Sequence, residues 1–482
     1  HPDGRAFSIY NEPLDCSNAI DAAHRSTTVW RPRESALIAS LLEHTDSVNR
    51  LALSGDHSFI ASASSDRTVK IWQLSGLDKA AFCRSSLTYT GHKDRVLDVT
   101  AIDNSHSVAS CSVDGSVHVW RVDMGPATVT LQGTAPGQVT PSRGHGLTVR
   151  GMAAINFVDP GEGPVVSVAH FNTDIASIII YVSLQGRVHG WDLRSRSEVF
   201  VFSIRSELGH PTAFCLSPEN CWVCVGTSRG YIALWDIRCN KMCKLWQHSA
   251  RGQPIHRLSS CNAMHTSKTT GQSNISDTYL FVAAGQAEAA VWRIADVSDC
   301  VKCFRSIPVS FSRAPLAPLP SLTEMSVLAH ANYPSHSNMA TSMLPSVPVE
   351  PSVRCMVGRL PPGGPAHMIT GGTDRHIRYW DFSSPVKCFT VSGLNSGQPR
   401  PSYEAPASGE GEALQGRLLV CYHADIPSAD VIVQTHRPLR EGRGPVPPVS
   451  AFKDAVLDLK CVDLPMRMMI SCSRDGQIKL WR

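Results

Sequence analysis

The chain has 482 residues, enough for two to four ordinary domains or for one large architecture assembled from repeated units. Its 45 Lys and Arg nearly balance its 41 Asp and Glu, and the resulting net charge of +4 argues against a nucleic-acid partner. Hydrophobic residues make up 42%, which supports a sizeable core and excludes wholesale disorder. The longest apolar stretch, residues 175–184, is about half of the roughly 20 residues that a membrane-spanning helix needs.

The first 28 residues are predicted to be a flexible lead-in outside the folded domain. They begin HPDGRAFSIY, with neither a starting Met nor the charged-then-apolar pattern of a secretory signal, so we expect a fragment of a longer protein. The 16 Cys of the chain are scattered, mostly within apolar runs, which is typical of buried, reduced thiols in the cytosol. We place the folded domain at residues 29–482.

One local pattern recurs seven times in this domain: a small-residue strand, a tight turn that often carries Asp and Gly, a short β-branched run and then Trp. The copies end at Trp72, Trp120, Trp191, Trp235, Trp292, Trp380 and Trp481. The shortest intervals between these residues are close to the roughly 40 to 45 residues of one four-stranded propeller blade. Apolar residues alternate within the copies, which fits strands that pack one face on the neighbouring blade. The sequence therefore predicts an all-β, seven-bladed β-propeller.

Three segments interrupt the predicted blades and differ from them in composition. Residues 306–352 contain eight Pro among Ser, Ala and Met, and residues 394–416 are rich in Gly, Pro, Ser and Glu. Both are predicted to be disordered surface insertions. Residues 262–277, rich in Ser, Thr and Asn, are predicted to interrupt the fifth repeat.

Short sequence pairs connect these repeats with a known family. Trp-Asp pairs occur at Trp191, Trp235 and Trp380, and Gly-His pairs precede two repeats at Gly91 and Gly144. In these features the sequence resembles WD40 repeats, which form propellers. In that family a turn Asp, a His from the preceding loop, a strand Ser or Thr and the Trp form a buried hydrogen-bond network.

The WD40 resemblance assigns this network to particular residues. They are His44, Asp66 and Trp72; His92, Asp114 and Trp120; Asp374 and Trp380; and Asp475 and Trp481. Because buried polar groups must be paired, the implied role is structural. In the other three repeats Gln185, Arg229 and Gln286 replace the turn Asp, and we expect apolar packing instead. The family closes its ring with an N-terminal strand, which implies that residues 36–42 complete the last blade.

No motif in the sequence predicts an active site, a metal site or a cofactor site. Residues 226–230 read GTSRG and fit the G-x-S-x-G nucleophile elbow, but that device needs a following helix, and a strand pattern follows instead. Cys221 and Cys224 have the spacing of half a zinc site, yet in a strand they point to opposite faces. We therefore expect a chain that is not an enzyme and that needs no cofactor.

Five arginines stand near the predicted starts of first strands. They are Arg50, Arg95, Arg150, Arg257 and Arg354. Because equivalent strand starts gather on one face of a propeller, these residues suggest a basic rim that receives an acidic partner segment. The alternative is that they are separate solvated side chains that share a strand position.

Longer stretches resemble one particular propeller, the C-terminal WD40 domain of the large regulatory subunit of class III phosphatidylinositol 3-kinase, a vacuolar-protein-sorting pseudokinase. The most specific stretch is the Trp-Arg-Pro-Arg lead-in at residues 30–33. The others are GRVHGWDLRS at 186–195, CWVCVGTSRGYIALWDIR at 221–238, GGTDRHIRYWDF at 371–382 and the terminal SCSRDGQIKLWR.

This resemblance implies a non-catalytic interaction scaffold that acts in autophagy and in endosomal or vacuolar sorting. The implied partners are the class III phosphatidylinositol 3-kinase catalytic subunit and Beclin-type, autophagy or endosomal subunits, with a small GTPase as a further candidate. The implied location is the cytoplasm, at the periphery of endosomal and autophagic membranes, with membrane contact made through the rest of the complex. The kinase-like region of the family lies upstream of the propeller, so no ATP site is carried over to this chain.

Two W-D-x-R boxes in consecutive repeats support a rival interpretation. The boxes at residues 191–194 and 235–238 resemble those of substrate receptors for cullin-RING ubiquitin ligases. In that class the arginine, here Arg194 or Arg238, docks on an adaptor propeller. The lead-in at residues 30–33 favours the kinase-complex scaffold, because other WD40 proteins have no reason to carry it.

Overall fold

The computed structural model describes most of the propeller. The described residues are 37–74, 84–103, 105–122, 152–153, 162–248, 252–266, 273–285, 287–295, 297, 300–308, 352–360, 366–392, 400–405, 417–423, 452–462 and 467–482. For residues 152–153, 263–266, 273–276 and 308 only the backbone is described. The lead-in, with residues 30–33, and residues 309–351 of the first predicted insertion lie outside these ranges.

The described chain is folded into strands that form seven sheets, and each sheet is one blade. The first strand of the chain, β1 (Leu37–Leu41), belongs to the last blade. Blade 1 contains β2 (Val48–Leu53), β3 (Phe59–Ser64), β4 (Val69–Gln73) and β5 (Leu87–Tyr89), and blade 2 contains β6 (Val96–Ile102), β7 (Ser107–Ser112), β8 (Val117–Arg121) and β9 (Met152–Ala153). Blade 3 contains β10 (Val165–Asn172), β11 (Ser177–Ser183), β12 (Arg187–Asp192) and β13 (Ser197–Ser203). Blade 4 contains β14 (Pro211–Leu216), β15 (Trp222–Thr227), β16 (Tyr231–Asp236) and β17 (Lys241–Gln247).

The remaining strands form blades 5 to 7. Blade 5 contains β18 (Ile255–Thr266), β19 (Ser273–Ala284), β20 (Glu288–Arg293) and β21 (Cys300–Pro308), and it also receives β26 (Ser402–Glu404) and β27 (Leu418–His423) from later in the chain. Blade 6 contains β22 (Val353–Arg359), β23 (His367–Gly372), β24 (Ile377–Asp381) and β25 (Phe389–Ser392). Blade 7 contains β28 (Val456–Val462), β29 (Met468–Ser473) and β30 (Ile478–Trp481). The predicted all-β, seven-bladed propeller is confirmed.

Helical structure in the described ranges is limited to single turns. The 3-10 turn Ser206–Leu208 lies between β13 of blade 3 and β14 of blade 4, and the 3-10 turn Pro385–Lys387 lies between β24 and β25 of blade 6. Among the described residues no helix has the length and apolar character needed to cross a membrane.

The first strands of the seven blades form a closed ring around the propeller axis. In the order β2, β6, β10, β14, β18, β22 and β28, each strand contacts the next, and β28 contacts β2. Each first strand carries a bulge near its start, such as the one between Val48 and Arg50. The residue after the bulge therefore has an equivalent position in every blade.

An N-terminal strand completes the last blade. β1 pairs antiparallel with β30, with Leu37 opposite Trp481 and Leu41 opposite Ile478. Leu41 is buried in one core with Trp72 of blade 1 and Leu480 of blade 7. The two ends of the propeller are thus held together by strand pairing within blade 7 and by apolar contacts with blade 1.

Tryptophans of the repeats fill the gaps between blades. Trp120 of blade 2 stacks on Tyr89 of blade 1, with ring centroids 4.7 Å apart, and shares a core with Phe59. Trp72 and Trp481 are also fully buried. Because these tryptophans occupy equivalent positions in their blades, the spacing of Trp along the sequence follows the succession of blades.

Blade 5 has six strands because part of a predicted insertion returns to it. β27 pairs in parallel with β21, and β26 pairs antiparallel with β27. The expected disorder of residues 394–416 does not hold for Ser402–Glu404, which form β26. The first insertion was expected from residue 306, yet β21 runs to Pro308. Leu418 and Val420 of β27 are buried in the core of blades 4 and 5, which supplies the apolar contact that fixes this pairing.

The polar segment at residues 262–277 extends a hairpin. β18 and β19 are paired from Ile255 and Ala284 out to Thr266 and Ser273. The segment therefore lengthens both strands beyond the blade, and only residues 267–272 within it lie outside the described chain.

Candidate functional site

The polar network of blade 1 joins four side chains behind the turn that follows β3. His44 Nδ1 lies 2.7 Å from Asp66 Oδ2, and His44 Nε2 lies 2.8 Å from Ser62 Oγ. Trp72 Nε1 donates to Ser62 Oγ at 2.9 Å. Burial raises the pKa of Asp66, but hydrogen bonds from His44 and Thr68 outweigh it and hold this pKa below its ordinary value.

Blade 2 has the same residues with one extra link. His92 Nε2 lies 2.8 Å from Ser110 Oγ, to which Trp120 Nε1 donates at 3.4 Å. His92 Nδ1 lies 3.1 Å from Ser116 Oγ, and Ser116 in turn donates to Asp114. The direct distance from His92 Nδ1 to Asp114 Oδ2 is 3.8 Å, so the serine hydroxyl connects them.

Burial, together with a second histidine, keeps His92 neutral. His118 stacks on His92 with ring centroids 4.1 Å apart, and Tyr89 Oη lies 2.8 Å from His118 Nδ1. Burial, and next the charge of His118, lower the pKa of His92 to about 4. At neutral pH the network of blade 2 therefore contains an uncharged imidazole.

Blade 6 replaces the histidine with an arginine. Asp374 pairs with Arg378 on β24, and Trp380 Nε1 donates to Thr370 Oγ1 at 2.8 Å. Burial raises the pKa of Asp374, but the charges of Arg378 and His376 and the hydrogen bond from Arg378 together lower this pKa overall.

Blade 7 replaces the histidine with a phenylalanine. Asp475 Oδ2 accepts the backbone N–H of Lys453 at 2.9 Å, and Trp481 Nε1 donates to Ser471 Oγ at 2.7 Å. Phe452, one residue before Lys453, packs on Trp481 with ring centroids 6.1 Å apart.

Blade 5 has a polar network although it lacks the turn Asp. Trp292 Nε1 donates to His248 Nδ1 at 3.2 Å, and His248 Nε2 lies 3.0 Å from Glu288 Oε1. Arg305 Nε donates to Glu288 Oε2 at 2.7 Å. Burial raises the pKa of Glu288, but His248 and Arg305 lower it to about 2. The expectation of apolar packing in place of a network is therefore wrong for this blade, because Glu288 on β20 supplies the carboxylate.

Blade 3 also contains buried polar contacts, whereas Trp235 of blade 4 packs on a ring. His189 Nε2 lies 2.7 Å from Glu162 Oε2, and its Nδ1 lies 2.6 Å from Glu198 Oε1. Trp235 stacks on Phe202 of blade 3, with centroids 6.0 Å apart. In blade 4, where apolar packing was expected in place of the network, the repeat tryptophan indeed packs on an aromatic ring. Blade 3 instead contains His189 between two glutamates.

Two of the five arginines named from the sequence, Arg95 and Arg354, do not occupy the position after the bulge of a first strand. The side chain of Arg95 is 59% exposed, with Nε 3.9 Å from Asp94 Oδ1. Arg354 is the bulge residue of β22, and its Nη1 donates to His256 Nδ1 at 3.2 Å. Burial, and next the charge of Arg354, lower the pKa of His256 to about 3, which keeps that nitrogen available as an acceptor.

Arg150 lies outside the described residues. The strand next to it in sequence, β9 (Met152–Ala153), pairs with β8 as the outer strand of blade 2. Blade 3 begins instead with β10. The placement of Arg150 itself falls outside the described residues and stays a prediction.

Arg50 and Arg257 point into the centre of the propeller and not onto a rim. Both occupy the position after the bulge of a first strand. Arg50 Nε lies 3.7 Å from Asp98 Oδ1, and Arg257 Nη2 lies 3.1 Å from Asp458 Oδ1. We call Arg50, Asp98, Arg257, Asp458 and the nearby Lys460 the axial cluster. Because these arginines face carboxylates and are only 16–17% exposed, they do not form one basic rim with Arg95 and Arg354.

The arginines of the two W-D-x-R boxes are exposed on the turns that follow β12 and β16. Arg238 contacts the Asp236 carboxylate through Nε at 3.1 Å and Nη2 at 2.7 Å. Arg194 Nη1 donates to the carbonyl of Asp174 at 3.4 Å. The two boxes therefore have equivalent places in blades 3 and 4, but their guanidinium groups have different partners.

Sequence reasoning missed the acidic half of the axial cluster. Asp98 and Asp458 each follow the bulge of a first strand, like Arg50 and Arg257. Aligning the seven first strands on the bulge would have placed all four residues at one level of the ring. The sequence gives no direct signal of the bulge, because a one-residue register shift depends on the neighbouring strand.

Comparisons with known proteins agree with this architecture. The family model "WD domain, G-beta repeat" matches residues 35–73, 83–121 and 450–482, which correspond to blades 1, 2 and 7. These are blades in which the turn Asp accepts hydrogen bonds from the preceding loop.

Several relatives carry one name. The chain is 29% identical over 464 residues, 94% of its length, to "Serine/threonine-protein kinase VPS15" of Arabidopsis thaliana, and covers 29% of that protein. It is 33% identical over 222 residues to "Probable serine/threonine-protein kinase vps15" of Dictyostelium discoideum, with 46% of the chain and 10% of the relative covered. It is 24% identical over 257 residues to "Putative serine/threonine-protein kinase VPS15" of Komagataella pastoris, with 52% and 18% covered. The chain thus spans less than a third of these relatives, and its WD40 repeats and these matches together support a WD40 domain of a VPS15-type subunit.

Proposed function

We propose that this chain is a non-catalytic interaction scaffold, the propeller of a regulatory subunit of the class III phosphatidylinositol 3-kinase complex. The observation that carries the proposal is the match of 94% of the chain to a relative named VPS15. The resemblance of residues 30–33 and of the long stretches in blades 3, 4, 6 and 7 supports the same assignment.

The use of the buried polar groups supports a scaffold. In blades 1, 2 and 5 the imidazoles of His44, His92 and His248 contact groups of their own blade. The ring nitrogens of these histidines that have a protein partner therefore hold the blade in shape. In a scaffold, the exposed surface of the propeller binds the partners.

The outer strands of blades 3 and 4 offer a surface for such binding. Val199 and Val201 on β13 are 53% and 37% exposed, and Met242 on β17 is 43% exposed. Arg194 and Arg238 lie on the turns that lead into these strands. Exposed apolar side chains beside cations are suited to a partner that is apolar with an acidic border.

The proposed partners are the class III phosphatidylinositol 3-kinase catalytic subunit and Beclin-type, autophagy or endosomal subunits, with a small GTPase as a further candidate. In this proposal the chain acts in autophagy and in endosomal or vacuolar sorting. It is cytoplasmic and peripheral to those membranes, and it reaches them through the rest of its complex.

Reconstitution tests the proposal. The chain is mixed with purified class III lipid kinase and a Beclin-type subunit, and size-exclusion chromatography measures whether they co-elute. We expect co-elution of the wild type and loss of it in the Val199→Glu, Met242→Glu double variant. Val386→Glu is the matched control, since Val386 is 90% exposed on blade 6.

The outcomes separate the surface from the function. Co-elution of all variants would retain the scaffold and reject the outer strands of blades 3 and 4 as its binding surface. Failure of the wild type to co-elute, together with binding to an adaptor propeller that is lost in Arg194→Glu, would establish the ubiquitin-ligase receptor instead.

A further inference from the structure

The axial cluster contains more positive than negative charge. Arg50, Arg257 and Lys460 contribute three cations, and Asp98 and Asp458 contribute two carboxylates. These groups come from the first strands of blades 1, 2, 5 and 7, which line the centre of the ring. Lys460 lies two residues after Asp458 on β28 and so on the same face of that strand, and the charges of Arg257, Asp98 and Asp458 act on the pKa of both Arg50 and Lys460.

Both carboxylates are already used to connect neighbouring blades. Asp98 of blade 2 accepts the backbone N–H of Val168 of blade 3 at 3.1 Å and the hydroxyl of Ser167. Asp458 of blade 7 accepts the backbone N–H of Leu51 of blade 1 at 3.0 Å. Both oxygens of Asp98 are therefore occupied by hydrogen bonds, whereas Oδ1 of Asp458 accepts none and has only its ion pair with Arg257.

Within the described residues none of the three cations has a hydrogen-bond acceptor, because the contact of Arg257 Nη2 with Asp458 Oδ1 at 3.1 Å is an ion pair without hydrogen-bond geometry. The 3.7 Å between Arg50 Nε and Asp98 Oδ1 is too long for a hydrogen bond. Lys460 Nζ makes neither a hydrogen bond nor an ion pair with any residue in the described ranges. Both side chains are half-buried, so they have lost part of their hydration.

The fold holds these charges at an energetic cost. Burial is the main cause that lowers the pKa of Arg50 and of Lys460. The like charge of Arg257 lowers both further. An anion placed among the three cations would offset part of this cost, since it supplies acceptors and opposite charge together.

We propose that the axial cluster is an oxyanion-binding site, in which a phosphate group of a small molecule is bound by Arg50, Arg257 and Lys460. Phosphate offers several acceptor oxygens and up to two negative charges, and arginine can donate to it through two nitrogens. A ligand bound in this way would connect blades 1, 5 and 7. It would therefore stabilise the closed ring in addition to the pairing of β1 with β30.

Equilibrium dialysis of the 482-residue chain tests the site. Inorganic phosphate is one probe and inositol hexakisphosphate is the other, each measured at constant ionic strength against chloride. We expect about one bound ligand per chain, and we expect Lys460→Met to weaken binding about tenfold or more. Binding of free phosphate identifies a phosphate site, whereas binding of the inositol compound alone identifies a polyphosphate site, and both outcomes support the proposal.

The controls keep the test decisive. Arg95→Met removes an exposed arginine of the same protein and should leave binding unchanged, while Lys460→Arg should retain it. If Lys460→Met fails to fold, the wild-type stoichiometry and Lys460→Arg still decide the matter. The proposal is overturned if the wild type binds neither probe, or if Lys460→Met binds as tightly as the wild type.

Discussion

Arg257 of blade 5 reaches Asp458 of blade 7, with Nη2 3.1 Å from Oδ1, and so joins two blades that are not neighbours in the ring. Asp458 also accepts the N–H of Leu51 in blade 1. One fully buried carboxylate therefore contacts blades on both sides of the position where the ring closes.

This arrangement predicts a large effect of Asp458→Asn. The variant retains the shape of the side chain but leaves Arg257 without its counter-ion in a buried site, so unfolding should require about 3 to 5 kcal/mol less free energy. Urea denaturation followed by tryptophan fluorescence measures the change. Asp94→Asn is the control, because Asp94 faces Arg95 at an exposed position and should change stability by less than about 1 kcal/mol. Equal effects of the two substitutions would contradict the role given to Asp458.

Ring closure by β1 predicts different effects at two adjacent leucines. Leu41 is 1% exposed and Leu42 is 61% exposed. Leu41→Ala should lower the free energy of unfolding by about 2 to 5 kcal/mol, because it leaves a cavity beside Trp72 and Leu480. Leu42→Ala should change it by no more than about 0.5 kcal/mol. Chemical denaturation of the pair compares them, and a small effect at Leu41 would mean that β1 contributes little to closure.

The network of blade 5 predicts that His248→Phe lowers the free energy of unfolding, although in blade 7 a phenylalanine, Phe452, packs on the repeat tryptophan Trp481. In blade 5 the substitution removes the partner of Trp292 Nε1 and one partner of the buried Glu288. We expect a loss of about 2 to 3 kcal/mol from these unsatisfied groups. His248→Gln, which can still hydrogen-bond, should recover part of it in the same thermal or urea assay. A stable His248→Phe protein would show that apolar packing suffices there.

His92 predicts a loss of stability in mild acid. Its pKa is near 6.5 in an unfolded chain and about 4 in the fold, so the unfolded chain binds the proton more readily between these values. The stability tied to neutral His92 is complete above about pH 6.5 and is lost as the pH falls toward 4, by about 3 kcal/mol in total. His256, whose pKa is also lowered, acts in the same direction.

Urea denaturation at pH 7 and at pH 4.5 measures this dependence. His92→Gln does not titrate, so the difference between the two pH values should be smaller in the variant than in the wild type. An unchanged difference would show that His92 is not a source of the acid sensitivity.

The sequence predicted the blades well because each depends on local signals. A turn Asp, a β-branched run and a buried Trp lie within a few residues of one another, so Asp66 and Trp72 can be recognised without their neighbours. The partner of that Asp, His44, was also accessible because it stands at a constant distance before the blade.

Long-range pairing was beyond the same reasoning. β27 joins β21 in parallel across more than a hundred residues, and nothing in its short apolar pattern names that partner. The axial cluster was missed for a similar reason, since Arg50 and Asp98 meet only when seven separate strands are arranged in a ring. Glu288 takes the place of the turn Asp from the first position of the following strand, β20, so a search at the turn position cannot find it.

Affinity purification of the chain from cells of its source, with mass spectrometry of the proteins that co-purify, tests the central claim most directly. The scaffold account predicts that the class III phosphatidylinositol 3-kinase catalytic subunit and a Beclin-type subunit are recovered. Recovery of a cullin and its adaptor propeller without the lipid kinase would contradict it.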